Sequence, residues 1–277
     1  MSVRMLINGV ALETVSPLDR GFSYGDGLFE TVRVVHGRAP LWQRHAQRLA
    51  EGSARLQLPP PDVGLLAREI EKVCIGLECA VVRITITRGI AARGYALPLE
   101  TMPTRVVAAF PFVSIPVDSY THGIRLRWCS TRLALQPLLA GIKHLNRLEQ
   151  VLARAEWNDA GIFEGIMCDS DGHVICATAA NIFCVLDRRV ITPALTRCGI
   201  AGVARAALLD HFENVEICDL LPAELMRANE IFLCNSVRGI LPVTRLADKS
   251  YALGPITREL QAHWRANGWM TQEGEQF

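Results

Sequence analysis

The sequence predicts a two-domain protein that mixes α-helices and β-strands, of the α+β or α/β class. Half of the 277 residues are hydrophobic, and segments with alternating apolar residues interchange with segments of helical spacing. A cluster of proline, serine, aspartate and glycine interrupts this pattern at residues 114–123. We therefore predict a smaller N-terminal α+β domain over 1–113, an interdomain linker over 114–123, and a larger C-terminal domain over 124–277 that binds the ligand.

Periodicity places the elements of each domain. In the first domain, apolar alternation predicts the strands LINGV, FETVRVVHG, AVVRITITRG and RVVAAFPF. Helical spacing there predicts LWQRHAQRLAEGSARL and PPPDVGLLAREIEKVCIGL, the latter with Asp62 as its N-cap. In the second domain, the predicted strands are IRLRWCS, EGIMCD, VICATAANIFCVLD, RVITP and EIFLCNSV, and the predicted helices are HLNRLEQVLARAEW, GVARAALLDHF and GPITRELQAHWRANGW.

Composition disfavours several classes of protein. The net charge is +1 with no basic block, which is unlike a nucleic-acid-binding protein. No apolar run reaches the ~18 residues of a membrane span, and the N-terminus does not resemble a signal peptide. Nine scattered cysteines without paired spacing predict free thiols in a reducing cytoplasm rather than disulfides or a zinc site. We expect a cytoplasmic protein that binds a small molecule and no metal, nucleic acid or membrane.

Lysine is scarce, and this directs attention to one residue. The chain contains Lys72, Lys143 and Lys249 only. The first lies on the polar face of a predicted helix and the last in a predicted turn, whereas Lys143 follows the apolar stretch PLLAGI. A solvated surface position is the ordinary alternative for such a lysine. Desolvation would instead lower its pKa and make the amine a candidate for a Schiff base with a carbonyl group, of which pyridoxal phosphate (PLP) is a common source.

A phosphate-bearing cofactor needs an anion site, and three features fit one. Gly199 and Gly202 precede a predicted helix, whose first N–H groups can bind phosphate. Ser236 follows a predicted strand, and Arg48 supplies positive charge. An ordinary glycine turn and an exposed helical arginine remain open alternatives.

These residues carry a resemblance to a known family. The segments concerned are DRGFSYGDGLFETVRV (19–34), HAQRL (45–49), TRGIAARGY (87–95), GIKHLNRLEQV (141–151), AANIF (179–183), GIAGVAR (199–205) and CNSVRGILPV (234–243). Together they resemble the fold-type IV PLP enzymes, which include branched-chain and D-amino-acid aminotransferases and 4-amino-4-deoxychorismate lyase. The match runs from about residue 5 to 245, and the block around Lys143 is most similar to the lyase. The implied fold is that of D-amino-acid aminotransferase, with PLP in the interdomain cleft.

The resemblance implies a role for each matching residue. Lys143 matches the lysine that forms the internal aldimine and serves as general base. The matching cofactor-binding residues are Arg48, Asn181, Val203, Ala204 and Ser236. Arg93 matches a loop arginine that holds a substrate carboxylate from the neighbouring subunit. The resemblance therefore also implies a homodimer in which the 88–95 loop reaches the partner's active site.

Two positions depart from the family pattern. Cys176 stands where the family has the glutamate that keeps the cofactor's ring nitrogen protonated, and a neutral thiol is a weak partner for that nitrogen. Tyr95 replaces the histidine that follows the loop arginine in D-amino-acid aminotransferases. Both departures favour an elimination that forms an aromatic ring over transamination. Reduced or lost activity is the rival explanation for Cys176, and simple packing is the alternative for Tyr95.

We therefore predict a PLP-dependent lyase that converts 4-amino-4-deoxychorismate to p-aminobenzoate and pyruvate. Thr31 is a candidate helper of Lys143 in protonating the leaving group, although an ordinary role as a β-branched strand residue is the simpler explanation for it. Arg33 and Arg88 are further candidates for a substrate carboxylate beside Arg93. The alternatives are an aminotransferase of D- or branched-chain amino acids and a non-catalytic protein that kept the fold.

Overall fold

The computed structural model describes residues 4–270, which divide into two units. The first unit contains the described residues up to Val113 together with Ile142–Asn146, and the second contains Ser114–Gly141 and the residues from Arg147 onward. The segment that carries Lys143 thus belongs to the first unit, although the chain has already entered the second. The residues 114–123, predicted as a linker, lie within the second unit.

A four-stranded antiparallel sheet forms the first unit, in the order β1-β4-β3-β2. Its elements are β1 (Arg4–Ile7), α1 (Arg20–Tyr24), β2 (Gly27–Val35), α2 (Trp42–Arg55), α3 (Val63–Cys74), β3 (Cys79–Thr87) and β4 (Thr104–Pro111). Alternation in β3 places Val82 and Ile84 fully inside the core. The predicted N-cap is confirmed, because Asp62 accepts a hydrogen bond from Leu65 N at 2.8 Å.

The second unit is built on a mixed sheet of nine strands. Its elements are α4 (Asp118–Thr121), β5 (Ile124–Trp128), α5 (Leu148–Arg154), β6 (Glu164–Cys168), β7 (Val174–Ala177), β8 (Asn181–Leu186), β9 (Arg189–Pro193), α6 (Val203–His211), β10 (Val215–Cys218), α7 (Pro222–Arg227), β11 (Glu230–Asn235), β12 (Gly239–Leu246), β13 (Lys249–Ser250) and α8 (Pro255–Ala266). The strand order is β10-β9-β8-β11-β12-β5-β6-β7, and β13 pairs with β12.

Two predicted elements differ from the structure. The segment VICATAANIFCVLD is not one strand, because Ala177 N bonds to Ala180 O and the resulting turn separates β7 from β8. The helix after Lys143 begins at Leu148 rather than His144. The chain before it is extended and bridges β2, which takes up the backbone groups that a helix would need. The sequence analysis did not predict α1, α4, α7, β10, β12 or β13.

Two findings bear on the predictions from composition. No helix within residues 4–270 combines the length and the apolar character that a bilayer crossing requires. All nine cysteines fall within the described residues and are free thiols, eight of them buried.

Candidate active site

Main-chain pairing with β2 fixes the position of Lys143. Phe29 N donates to Lys143 O at 3.0 Å, and Leu145 N donates to Gly27 O at 3.0 Å. A side chain at Gly27 would come within 2.4 Å of Ile86 O and 2.9 Å of a Leu145 methyl group, so glycine is needed for this approach. Lys143 Nζ lies 4.2 Å from the centre of the Phe29 ring. The amine is therefore held against an aromatic face rather than extended into solvent.

Arg83 lies on the same aromatic ring, and the sequence analysis missed it. Its Cζ is 4.3 Å from the centre of the Phe29 ring. The β2–β3 register sets it directly opposite Thr31. Burial lowers the pKa of Arg83, and it pairs with no carboxylate within residues 4–270. Arg83 is exposed on β3, and an accessible cation without a carboxylate partner is a site for an anionic ligand group.

The neighbouring residue on β2, Glu30, binds Arg48 and His45. The Glu30 side chain is 1% exposed. Its carboxylate accepts hydrogen bonds from Arg48 Nε at 2.8 Å and from Arg48 Nη2 at 2.5 Å, and it lies 2.7 Å from His45 Nδ1. Burial alone would raise the pKa of Glu30, but the Arg48 charge and the hydrogen bonds from both partners lower it to about 2. Burial lowers the pKa of His45, and the charges of Arg48 and Lys143 act in the same direction. Glu30 is thus an anion that orients the guanidinium of Arg48.

In the second unit, Asn181 and the start of α6 form a tight cradle. Asn181 Oδ1 accepts from Gly202 N at 3.0 Å, and Asn181 Nδ2 donates to Ile200 O at 2.9 Å. Gly202 is the N-cap of α6 and offers no side-chain acceptor to the first turn. The N–H groups of Val203 and Ala204 therefore have no partner from the cap or from the helix itself. A Cβ at Gly202 would lie 2.1 Å from Asn181 Oδ1.

The predicted phosphate-contacting residue Ser236 lies in the turn that follows β11, a strand that pairs with β8. The β8–β11 register places Asn181 opposite Cys234, two residues before Ser236. Asn235 Oδ1 accepts from Val237 N and Arg238 N, which closes the turn that contains Ser236. The second unit thus brings Asn181, Ser236 and the start of α6 to adjoining elements.

Gly141 belongs to the same part of the second unit. Its N donates to Gly199 O at 2.9 Å, and its O accepts from Ala201 N at 2.9 Å. Both partners belong to the segment that leads into α6. Lys143 follows Gly141 by two residues in the chain, so the lysine comes directly after a backbone position that these two hydrogen bonds fix.

Cys176 is a buried, neutral thiol. It lies on β7 opposite Met167, and burial raises its pKa to about 12. The apolar cluster around it contains Cys129, Leu133, Ala153, Trp157, Met167, Ile175 and Cys198. A second residue here that the sequence analysis missed is Glu164, a buried carboxylate that accepts from Gly165 N at 3.0 Å and from the Thr178 hydroxyl.

The three arginines considered for a substrate carboxylate differ in their surroundings. Arg93 lies in an exposed loop next to Tyr95, which is 85% exposed. Arg88 is buried, and its guanidinium donates to Asp26 and to main-chain carbonyl groups. Arg33 is also buried, with its Cζ 5.4 Å from the Phe112 ring centre. Of these arginines, Arg93 has the exposure that a ligand contact needs.

One group of potential metal ligands lies in the turn between β6 and β7. Asp169, Asp171 and His173 bring their ligand atoms within 4.8 Å of one another. Arg197 lies 3.6 Å from the Asp169 carboxylate and supplies positive charge there. Asp169 also accepts from His173 N at 2.8 Å, so these contacts are those of a tight hairpin.

The fold and the lysine-centred site define a class of protein. Residues 27–246 match the family described as Amino-transferase class IV, and the chain belongs to this family. This confirms the resemblance and the fold that it implies.

Individual relatives show which members of the family the chain is similar to. The chain is 35% identical over 265 residues to an aminodeoxychorismate lyase of Vibrio harveyi, covering 93% of this chain and 98% of the relative. A crystal structure of 4-amino-4-deoxychorismate lyase from Pseudomonas aeruginosa superposes with a TM-score of 0.91 at 45% identity, covering 95% of this chain and 98% of that one. A PLP-bound hypothetical aminotransferase from Mycobacterium tuberculosis shares the fold, with a TM-score of 0.78 at 21% identity over 92% of this chain and 93% of that one.

Proposed function

We propose that this protein is a PLP-dependent lyase that converts 4-amino-4-deoxychorismate to p-aminobenzoate and pyruvate. The proposal is supported by the two relatives named as this lyase, each of which matches more than nine tenths of the chain. The observation that carries it in the structure is the placement of Lys143 and Arg83 on one aromatic ring, Phe29. A base and a cation that both contact one aromatic ring suit a substrate that has an acidic C–H bond and two carboxylates.

The residues present fit PLP. Gly202 leaves the N–H groups of Val203 and Ala204 without a side-chain acceptor, and such groups at a helix start bind phosphate. Arg48 supplies the positive charge, Ser236 a hydroxyl, Asn181 the support of the cradle, and Lys143 the amine. When bound, PLP supplies an aldehyde that bonds covalently to amines and a ring that accepts electrons.

Lys143 moves the proton in the reaction. Its amine removes the proton from the substrate carbon that bears nitrogen, and in its protonated form it returns a proton to the departing enolpyruvyl oxygen. The bond between that oxygen and the adjacent ring carbon breaks, and the released enol becomes pyruvate. Loss of the C–H and C–O bonds leaves an aromatic ring. Thr31, across from Arg83 in the sheet, is the helper that donates a hydrogen bond to the leaving oxygen.

Arg83 binds one carboxylate of the substrate, and Arg93 with Tyr95 binds the other. The surroundings of Arg83 support this role, because the residue is exposed, lies against the Phe29 ring and pairs with no carboxylate in the described part of the chain. A carboxylate would restore a charge-assisted hydrogen bond. The exposure of Arg93 and Tyr95 suits a contact made across a subunit boundary.

Cys176 takes the place of the family's glutamate near the cofactor ring. Its pKa of about 12 keeps it neutral at physiological pH, so it does not hold a ring nitrogen cationic. Formation of an aromatic product has its own driving force, and the elimination therefore tolerates this weaker partner. Transamination has no such driving force, which is why the lyase is the favoured activity.

An assay with purified protein and PLP tests cofactor, substrate and reaction together. 4-Amino-4-deoxychorismate should yield p-aminobenzoate and pyruvate in equal amounts. D-Alanine or leucine with 2-oxoglutarate should yield little glutamate. Glutamate formation without p-aminobenzoate would instead establish the alternative, an aminotransferase of D- or branched-chain amino acids.

The assembly and the location of the protein complete the proposal. The exposure of residues 92–95 supports a homodimer in which the 88–95 loop reaches the neighbouring active site. Mixing an Arg93→Ala variant with a Lys143→Ala variant should then restore part of the activity through hybrid dimers. The nine free thiols support a cytoplasmic location, which cell fractionation checks.

A further inference from the structure

A buried arginine, Arg20, holds the loop that carries the two substrate-binding residues. Arg20 is 4% exposed. Its Nη1 donates to Gly94 O at 2.8 Å and to Ala96 O at 3.4 Å, and its Nη2 reaches Tyr95 O at 3.5 Å. The residues 91–100 form neither helix nor strand, so these contacts replace the backbone pairing that would otherwise position them.

Asp26 fixes the guanidinium of Arg20 from the other side. Its carboxylate lies 2.8 Å from Arg20 Nε and 2.8 Å from Arg88 Nε. Burial would raise the pKa of Asp26, but hydrogen bonds and charge from both arginines lower it overall. Arg88 differs from Arg20 in what else it binds, because its remaining contacts go to Leu56 O and Gln57 O. One carboxylate thus orients two arginines, and of the two side chains only that of Arg20 contacts residues 94–96.

Tyr24 adds a second attachment to the same segment. Its hydroxyl accepts a hydrogen bond from Gly94 N at 3.1 Å. Its ring centre is 5.4 Å from that of Tyr95, and Arg20 Cζ lies 5.0 Å from the Tyr24 ring centre. Gly94 is therefore held at both its N–H and its carbonyl group, directly between Arg93 and Tyr95.

We propose that Arg20, oriented by Asp26 and assisted by Tyr24, is a positioning residue that holds the 94–96 segment and thereby presents Arg93 and Tyr95 to the substrate carboxylate. The inference rests on the proposed function for its second half, since Arg93 and Tyr95 matter only if they bind the substrate. Its first half, attachment of the loop, depends only on the contacts above.

The consequence is a specific kinetic signature. Arg20 contacts neither Lys143 nor the residues assigned to the cofactor, so its loss should leave the chemical step intact. A loop released from Arg20 must be ordered again by each substrate molecule, which weakens substrate binding. KM should therefore rise while kcat and the affinity for PLP stay close to those of the parent.

Limited trypsin digestion of the PLP-loaded protein measures the loop directly, because Arg93 is itself a cleavage site. In Arg20→Met we expect cleavage after Arg93 to become about tenfold faster, since hydrogen bonds from a charged donor are lost. KM for 4-amino-4-deoxychorismate should rise about tenfold. Arg20→Lys keeps a cation beside Asp26 and should give intermediate values. Arg105→Met is the matched control, because it removes an arginine that pairs at two points with a carboxylate, Glu69, and has no contact with residues 94–96; it should leave cleavage after Arg93 unchanged.

If Arg20→Met does not fold, the variant Tyr24→Phe still tests the attachment of the loop. It removes one hydroxyl and keeps the ring contact with Tyr95, and cleavage after Arg93 should become about threefold faster. Parent-like cleavage in both variants would overturn the attachment. Faster cleavage with an unchanged KM would overturn the positioning role while the lyase assignment stands. A parent protein without lyase activity would overturn the proposed function, and the digestion would still decide whether Arg20 holds the loop.

Discussion

Glu30 and Arg48 form a two-point ion pair inside the first unit. The carboxylate accepts from Nε at 2.8 Å and from Nη2 at 2.5 Å, and its exposed fraction is 1%. Such a pairing fixes the plane of the guanidinium as well as its position. The residue predicted to attract the cofactor phosphate is therefore oriented before any ligand arrives.

The first prediction concerns the pH dependence that this pair creates. The pKa of Glu30 is about 2, against an ordinary value of 4.5. A depressed pKa contributes stability above the unfolded-state value, and this contribution is lost as the pH falls from about 4.5 towards 2. Glu30→Gln should lower the free energy of unfolding by about 3 kcal/mol at neutral pH. The difference from the parent should shrink in acid, as measured by denaturant unfolding across this pH range.

Glu51→Gln is the control, an exposed glutamate on α2, the helix that carries Arg48. Its free energy of unfolding should stay within about 0.5 kcal/mol of the parent. An equal effect of both substitutions, or a difference for Glu30→Gln that persists unchanged to pH 2, would contradict the assigned ion pair.

The second prediction concerns Lys143. Lys143→Ala should reduce p-aminobenzoate formation by about 100-fold or more, because the base is lost. Borohydride treatment of the PLP-loaded parent should label the peptide that contains Lys143, as read by mass spectrometry. Lys72→Ala, an exposed lysine on α3, should retain both activity and labelling. Full turnover in Lys143→Ala would refute the assignment.

The third prediction concerns Arg83. Arg83→Met keeps an apolar contact with Phe29 but removes the cation, so KM for the substrate should rise about tenfold through loss of a charge-assisted hydrogen bond. PLP affinity should be unchanged. Arg38→Met, at an exposed turn, provides the comparison. An unaltered KM in Arg83→Met would show that its guanidinium binds no substrate carboxylate.

The fourth prediction concerns the cradle at α6. Gly202 has φ −68°, so alanine is permitted by the backbone and any effect of Gly202→Ala comes from its Cβ. That atom would lie 2.1 Å from Asn181 Oδ1, and relief of the contact should displace the first turn. We expect about a tenfold loss of PLP affinity in a titration of the apoprotein.

Gly64→Ala on α3 is the control for this steric effect. A Cβ there would meet its nearest atoms at 3.5 Å, an ordinary contact. It should leave PLP affinity unchanged and add about 0.5 kcal/mol of stability, because alanine is the better helix former. If the two variants bind PLP with equal affinity, the start of α6 does not bind the phosphate.

The fifth prediction concerns Cys176. Cys176→Ala should leave the rate of pyruvate release within about threefold of the parent, because a neutral thiol is a weak partner. Cys176→Glu introduces a carboxylate into an apolar cluster and should lower the melting temperature without a gain in rate. A large gain in pyruvate release by Cys176→Glu would mean that the thiol is a defect in a former glutamate site.

Much of the architecture could be predicted because it depends on local pattern. The alternation in AVVRITITRG predicts β3, the sequence PPPD predicts the capped start of α3, and glycine before GVAR predicts the start of α6. The scarcity of lysine directs attention to Lys143, and the motifs around it identify the family. Each of these signals lies within a short stretch of chain, where periodicity, capping and composition act.

The sequence alone therefore determined most of the longer elements, the family and the candidate lysine. Tertiary structure decided which groups surround that lysine. The pairing of residues 143–145 with β2, the position of Arg83 on the Phe29 ring and the ion pair between Glu30 and Arg48 all depend on strand register and helix packing. These contacts join residues far apart in the chain, and local periodicity contains no information about which distant residues become neighbours.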